Sequence, residues 1–228
     1  MRAAIFDLDG TLIDSMGVWD RLGSDFLSAR GIHCPEISHE TKNMSFMEAA
    51  GYYIEKFSLK DTREQLVAIW NEIAFKEYAE NIHLKKGARE YILNLSGRGI
   101  KLGLATATDR RLAEAVLGRH GLLSLFQAVV TVGEVGRGKE HPDIFLLTAH
   151  KIKVSPEDCV VFEDCLHAVK GAKRAGMQVW AVYDSYSAHE KKDMQSIADK
   201  YIHSFEEILL PSDRNANIAN QNVKRKSG

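Results

Sequence analysis

The chain has 228 residues, of which 45% are hydrophobic and 27% charged, as in an ordinary soluble globular protein with one well-buried core and a smaller second module. A formal net charge of −1 leaves nucleic-acid binding without support, and no apolar run approaches the roughly 18 residues of a membrane helix. Because a strand is predicted from the first residues, we expect no signal peptide. The three cysteines lack C-x-x-C spacing and are expected to be free thiols in a reducing cytoplasm.

The first predicted element is a buried strand, formed by the short apolar run of residues 3–6. Asp7 and Asp9 follow it directly, in the segment DLDGT. Two carboxylates make a poor core, but the carboxyl end of a strand is where open α/β sheets bind ligands. An EF-hand calcium loop does not fit, because Thr11 and Leu12 stand where that loop needs an acidic or amide ligand and a glycine.

A wholly helical stretch is predicted next, over residues 16–80. Ser45 with Glu48 forms a capping box at the start of one helix, and the segment TREQ at 62–65 can open another. The stretch is therefore predicted to be a helical cap inserted after the first strand, and its place beside the two aspartates makes it a candidate lid. Asp14 either touches the site or caps the first cap helix, and the preference of Asp for helix caps favours the second role.

Short apolar runs alternate with helical segments in the rest of the chain. The predicted strands are 100–105, 128–132, 159–162, 178–182 and 200–202. This alternation predicts an α/β fold with a doubly wound, Rossmann-like parallel sheet, formed by residues 1–15 and 81–210. Gly97 and Gly176 are expected to end helices. Residues 211–228 have almost nothing to bury and are expected to be a disordered tail.

Polar side chains recur where later strands end or helices begin. Thr106, Ala107 and Thr108 follow one strand, Lys139 precedes a helix, and Glu163 and Asp164 follow another strand. A doubly wound sheet would gather these residues along the same edge as the two aspartates of the first loop. Four carboxylates in one cleft cannot all stay ionised without a cation, which predicts bound Mg²⁺. The lysine, the threonine hydroxyl and nearby backbone N–H groups predict a phosphoryl anion beside it.

In this order, the four elements resemble the motifs of the haloacid dehalogenase superfamily of phosphohydrolases. The motifs are DLDGT, LAT ending at Thr106, Lys139 before PDIF, and the ED pair at Glu163. The resemblance spans roughly residues 3–207 and includes the position of the helical cap. Within the superfamily, the chain looks closest to the branch of β-phosphoglucomutase-like proteins and small sugar phosphatases.

The resemblance implies a role for each motif residue. Asp7 is the implied nucleophile that forms an aspartyl-phosphate, and Asp9 is the implied general acid and base. The implied Mg²⁺ ligands are Asp7, the backbone carbonyl of Asp9, Glu163 and Asp164. The implied phosphate-binding residues are Thr106, Ala107 and Lys139.

The activity that this resemblance implies is Mg²⁺-dependent hydrolysis of a small phosphate monoester, similar to a phosphosugar. A β-phosphoglucomutase-like mutase is the alternative, and a non-catalytic protein that binds a phosphorylated ligand or a partner is a further one. Trp19 occupies the place of a cap histidine of the mutases, and residues 31–61 contain no arginine, which favours the phosphatase. Specificity is expected at Trp19 and in the cap loop of Lys42, Asn43 and Met44. We expect a monomer or weak dimer whose partner is a small phosphorylated metabolite.

Overall fold

The structure of the protein is a computed structural model that describes residues 1–41 and 44–209. The described residues form two compact units, the first built from Met1–Asp14 and residues 83–209, the second from residues between Ser15 and Ile82. In the described part of the chain, no helix combines the length and the apolar character that crossing a membrane requires. Lys42, Asn43 and the expected tail at 211–228 lie outside the described residues.

The first unit is built on a sheet of six parallel strands in the order β3-β2-β1-β4-β5-β6. The strands are β1 Ala3–Phe6, β2 Lys101–Thr106, β3 Ala128–Thr131, β4 Cys159–Glu163, β5 Gln178–Val182 and β6 Lys200–Ile202. The strand order reverses beside β1, which is the switch point where sheets of this kind bind ligands. The doubly wound parallel sheet predicted from the sequence is thereby confirmed.

Helices cover both faces of this sheet, which is why its central strands are continuously apolar. The helices of the first unit are α5 Ala88–Gly97, α6 Arg110–Arg119, α7 Val132–Val135, α8 Asp143–Ile152, α9 Leu166–Arg174 and α10 Lys191–Ile197. Ile5 of β1 belongs to a core cluster that includes Phe145 of α8 and Val169 of α9. On the other face, Phe6 stacks on Phe162 of β4 with ring centroids 4.6 Å apart.

The second unit contains only helices among its described residues. They are α1 Met16–Ser28, α2 Ile37–Thr41, α3 Phe46–Phe57 and α4 Arg63–Lys76, which continues as a π-helical turn over Glu77–Asn81. The predicted capping box of Ser45 with Glu48 is present at the start of α3, and the predicted start of α4 also carries a capping box, in which Thr62 pairs with Gln65. Phe26 of α1, Tyr53 of α3 and Trp70 of α4 pack with aliphatic side chains in the core of this unit.

Two helix boundaries differ from their predicted positions. Ser15, not Asp14, is the N-cap residue of α1, and Asp14 stays in the connecting segment, where its N–H donates to the carbonyl of His83, 2.9 Å away. That bond joins the segment that leaves the first unit to the segment that returns to it. Gly97 is the last residue of α5 rather than its stop, and Gly99 adopts the left-handed conformation beyond it, with φ of 73°.

Candidate active site

The loop after β1 carries the two aspartates to the carboxyl edge of the sheet. Asp7 is one residue beyond the strand, and its N–H continues the sheet ladder by donating to the carbonyl of Phe162, 2.9 Å away. Gly10 then turns the chain with φ of +74°, and a Cβ at this position would lie 2.3 Å from Oδ2 of Asp164. Only glycine meets both requirements, so this turn brings the loop against the end of β4.

A buried ammonium lies between two buried carboxylates at this edge. The Nζ atom of Lys139 is 2.6 Å from Oδ1 of Asp7 and also forms an ion pair with Oε1 of Glu163. Lys139 is 5% exposed, Asp7 7% and Asp164 6%, and Glu163 is fully buried. Three carboxylates share one ammonium, so the cluster holds more negative than positive charge when all its groups are ionised.

The acid–base balance of the cluster reflects this shortage of positive charge. Burial raises the pKa of Asp7 to about 7, where Lys139 opposes the shift and the charges of Glu163 and Asp9 add to it. Burial, followed by the charges of Glu163 and Asp7, also raises the pKa of Asp164 well above its ordinary value. Burial lowers the pKa of Lys139, but the two carboxylates beside it outweigh that effect, and the lysine stays protonated. A further cation would stabilise the ionised forms of both aspartates.

The donor atoms at the end of β4 fit a hard divalent cation. Oε2 of Glu163 accepts from the backbone N–H of Asp164 at 3.0 Å, and Oε1 is the atom that pairs with Lys139. Oδ1 of Asp164 accepts from Oγ1 of Thr11 at 2.9 Å. One carboxylate oxygen of each acid lies within 4.8 Å of the other and of Sγ of Cys165. Clustered carboxylate oxygens with excess negative charge are the donors that Mg²⁺ prefers.

Cys165 does not add a reactive group to this cluster. Burial raises the pKa of its thiol, and the neighbouring charges of Glu163 and Asp164 raise it further. The thiol therefore stays protonated, and a neutral sulfur is neither a good nucleophile nor a ligand that Mg²⁺ selects.

A second group of polar contacts joins the first loop to the end of β2. Oδ2 of Asp9 accepts from Oγ1 of Thr108 at 2.5 Å, and the backbone N–H of Thr108 donates to Oγ1 of Thr106 at 3.0 Å. Thr106 is fully buried, while Ala107 between the two threonines is exposed. The charge of Asp9 also acts on Asp7, so the two aspartates share one electrostatic environment.

All the site residues predicted in the first unit therefore lie at the ends of β1, β2 and β4 or on the loop before α8. Sequence reasoning placed Thr108 at this edge without a role and did not include Thr11, and each of the two donates a hydrogen bond to a site aspartate. The signal that could have found them is position, since each hydroxyl lies within two residues of a predicted site residue.

The two described residues of the predicted specificity region lie in the second unit. The indole N–H of Trp19 donates to the hydroxyl of Tyr78 at 3.0 Å, and Met44 is largely exposed. Both line a cavity of about 180 Å³. The residues around it are Trp19, Leu22, Gly23, Ser38, Thr41, Met44, Phe46, Ala49, Tyr53 and Trp70. Lys42 and Asn43 are outside the part of the chain that the structure describes.

The chain is similar in sequence to known phosphatases over about three quarters of its length. A model of haloacid dehalogenase-like hydrolases matches residues 1–176. A phosphorylated carbohydrates phosphatase of Thermotoga maritima is 33% identical over 180 residues, which are 78% of this chain and 83% of that protein. Hexitol phosphatase B of Escherichia coli is 29% identical over 179 residues, or 77% of this chain and 81% of the other.

A crystal structure shows the same likeness in three dimensions. It is that of a Thermotoga maritima protein provisionally assigned as a β-phosphoglucomutase, which superposes with a TM-score of 0.80 at 29% identity. The match covers 92% of this chain and 97% of that one. The similarity therefore extends well beyond the motif residues.

Proposed function

Because the chain belongs to the haloacid dehalogenase-like hydrolases and is a phosphoric monoester hydrolase of that family, we propose that it cleaves a small phosphosugar-like monoester through an aspartyl-phosphate, with Mg²⁺ as cofactor. The observation that carries the proposal is the buried contact of Lys139 with Asp7 and Glu163. This contact supports the proposal because a carboxylate nucleophile and a fixed positive charge beside it are both needed for phosphoryl transfer.

In the first step, an oxygen of Asp7 attacks the phosphorus of the ester, and the bond from phosphorus to the leaving oxygen breaks. Asp9 donates a proton to that oxygen, so the alcohol leaves neutral. The hydrogen bond from Thr108 at 2.5 Å fixes the direction of the Asp9 carboxyl. Lys139 and Thr106 bind the non-bridging oxygens of the phosphoryl group, where negative charge must be stabilised in the transition state.

In the second step, Asp9 removes a proton from a water molecule, whose oxygen attacks the phosphorus of the aspartyl-phosphate. The bond between phosphorus and Asp7 breaks, which releases phosphate and restores the carboxylate. The residues that would hold Mg²⁺ are Asp7, the backbone carbonyl of Asp9, Glu163 and Asp164. When bound, the ion would supply the positive charge that keeps the nucleophile ionised at neutral pH.

Two observations support a phosphosugar-like substrate. The relatives named above are phosphatases of phosphorylated carbohydrates and of hexitols, which are polyhydroxylated compounds. The cavity in the second unit combines aromatic side chains with the hydroxyl groups of Ser38, Thr41 and Tyr53. Flat apolar faces with a few hydroxyls suit a small polyol, and we propose that this region, with Trp19 and Met44, selects the substrate.

The test is release of inorganic phosphate from a panel of phosphosugars, hexitol phosphates, nucleotides and small phospho-acids, with Mg²⁺ and with a chelator. We expect release from the sugar or hexitol phosphates, no release in the chelator, and recovery when Mg²⁺ is added back. Metal-independent turnover would contradict the role of the acidic cluster. Isomerisation of β-glucose 1-phosphate without phosphate release, in the presence of a bisphosphate activator, would identify a mutase instead.

A further inference from the structure

Helix α9 and the loop of Lys139 approach each other more closely than a side chain would allow. A Cβ built on Gly171, in the middle of α9, would lie 1.9 Å from the carbonyl oxygen of Lys139 and 3.1 Å from that of His141. Both obstructing atoms belong to the backbone, so no side-chain rotation could make room. The same helix holds the loop a second time, since the guanidinium of Arg174 donates to the carbonyl of Glu140 at 2.7 Å.

Local propensity does not explain a glycine at this position. Gly171 has no left-handed conformation to require it, and alanine is the better helix former. Two other helical glycines, Gly97 and Gly118, have open space where a Cβ would be. The close approach of the Lys139 loop is therefore the feature of the structure that accounts for Gly171.

The position of that loop determines where the ammonium of Lys139 lies. The side chain is almost fully buried and extends from this backbone to Asp7, 2.6 Å away, and to Glu163. The loop also turns on itself, because the N–H of His141 donates to the carbonyl of Gly138 at 3.1 Å. A compact turn that is fixed against α9 moves as a unit, so displacing its backbone displaces the ammonium.

We propose that Gly171 is a positioning residue for Lys139. Because Gly171 has no side chain, the loop can pack directly against α9, and in that position the ammonium of Lys139 reaches the phosphoryl site. The proposal rests on the role of Lys139 in the proposed function. With alanine at this position, the distance from its Cβ to the carbonyl oxygen of Lys139 has to increase from 1.9 Å to at least 3.0 Å. The loop and the helix therefore have to separate by more than 1 Å. A misplacement of about 1 Å at a catalytic group can lower the rate by about 10²-fold.

The experiment compares Gly171→Ala with Gly118→Ala, a matched helical substitution in open space. Gly171→Ala should lower kcat/KM for an aryl phosphate by about 10²-fold and weaken inhibition by orthovanadate, a mimic of the phosphoryl transition state. Gly118→Ala should leave both unchanged. Thermal unfolding of both variants, followed by circular dichroism, measures the folded fraction. Wild-type kcat/KM in Gly171→Ala, or a loss that only follows the unfolded fraction, would overturn the proposal.

A double-variant cycle with Lys139→Ala separates positioning from a general structural effect. If Gly171 acts through Lys139, adding Gly171→Ala to Lys139→Ala should lower kcat/KM by less than about threefold, instead of the about 10²-fold expected in the wild-type background. An equal loss in both backgrounds would overturn the inference. If Lys139→Ala leaves no detectable turnover, orthovanadate decides, and it must bind weakly to both single variants.

Two further outcomes keep the inference and the proposed function apart. Full activity in Lys139→Ala would remove Lys139 from the proposed function, whereas an impaired Lys139→Ala beside a fully active Gly171→Ala would remove only the inference. Where Gly171→Ala fails to fold, Arg174→Ala replaces it, because it loosens the same loop without adding an atom. That variant should lose several-fold in kcat/KM at an unchanged melting temperature, and wild-type activity would contradict the inference.

Discussion

At the scale of single residues, Asp7 is tightly constrained by its surroundings. It is nearly inaccessible to water, forms an ion pair with Lys139, and shares its surroundings with the charges of Glu163 and Asp9. A carboxylate in such a place is poorly solvated and therefore reactive towards phosphorus once nearby positive charge neutralises the phosphoryl oxygens. The same burial that suits the proposed role of nucleophile makes Asp7 costly to ionise in the free protein.

Replacing Asp7, the proposed nucleophile, should abolish turnover without unfolding the protein. In Asp7→Asn the amide cannot form an acyl phosphate, so we expect phosphate release to fall by about 10⁴-fold or more. The melting temperature should stay the same or rise, because one of the crowded negative charges is gone. Glu157→Gln, which changes an exposed carboxylate before β4, is the control and should remain fully active. Substantial activity in Asp7→Asn would exclude Asp7 as the nucleophile.

The raised pKa of Asp7 also predicts how stability depends on pH. The ordinary pKa of this carboxyl is 3.8 and the folded value is about 7, so between these values the folded state binds the proton more tightly than the unfolded state. Stability should therefore fall as pH rises through this window, by on the order of a few kcal/mol, and the raised pKa of Asp164 acts in the same direction.

Urea unfolding at about pH 5 and about pH 8, with a chelator present, measures this effect. The decrease in stability should be clear in the wild type and smaller in Asp7→Asn. Added Mg²⁺ should stabilise the protein more at the higher pH, where the carboxylates are ionised. Equal stability of the metal-free wild type at both pH values would contradict the raised pKa of Asp7.

At the scale of elements, the site is the meeting point of three strand ends and one loop. Hydrophobic patterning could predict the strands and that they run parallel. Buried strands are continuous apolar runs, and the helices between them carry start and stop signals. The motif residues could be predicted as well, because the carboxyl ends of parallel strands share one edge. Patterning could not predict that Thr11 contacts Asp164, or that α9 contacts the Lys139 loop. Those contacts depend on the depth at which separate elements pack.

The bond between Thr11 and Asp164 ties the loop after β1 to the end of β4 and orients a proposed metal ligand. Thr11→Val removes the hydroxyl but keeps the shape of the side chain, so the fold should persist. We expect Mg²⁺ affinity, measured by the metal dependence of turnover, to fall by about 10- to 100-fold. Thr148→Val is the matched control, because Thr148 is also buried but its hydroxyl donates within α8. An unchanged metal affinity in Thr11→Val would show that the orientation of Asp164 has another source.

At the scale of the whole molecule, the chain consists of two units that each bury their own core. The first unit encloses the sheet with its flanking helices, and the second encloses the aromatic residues of α1, α3 and α4. The chain leaves and rejoins the first unit at adjacent points, since Ile13 pairs with Leu84 and Asp14 with His83. All the proposed catalytic residues belong to the first unit, and the proposed specificity residues belong to the second.

This division predicts that the two functions can be separated. Replacing residues 15–82 with a short Gly-Ser linker should leave a folded first unit, because the two ends of the excised segment are already hydrogen-bonded neighbours. The shortened chain should still hydrolyse a small aryl phosphate with Mg²⁺ but lose its preference among phosphosugars, as the kcat/KM values for a panel of substrates would show. The same excision in an Asp7→Asn background is the control and should be inactive. If the shortened chain folds and keeps the substrate preference of the full-length chain, specificity resides in the first unit. The sugar would then be selected by residues at the strand ends, and not by Trp19.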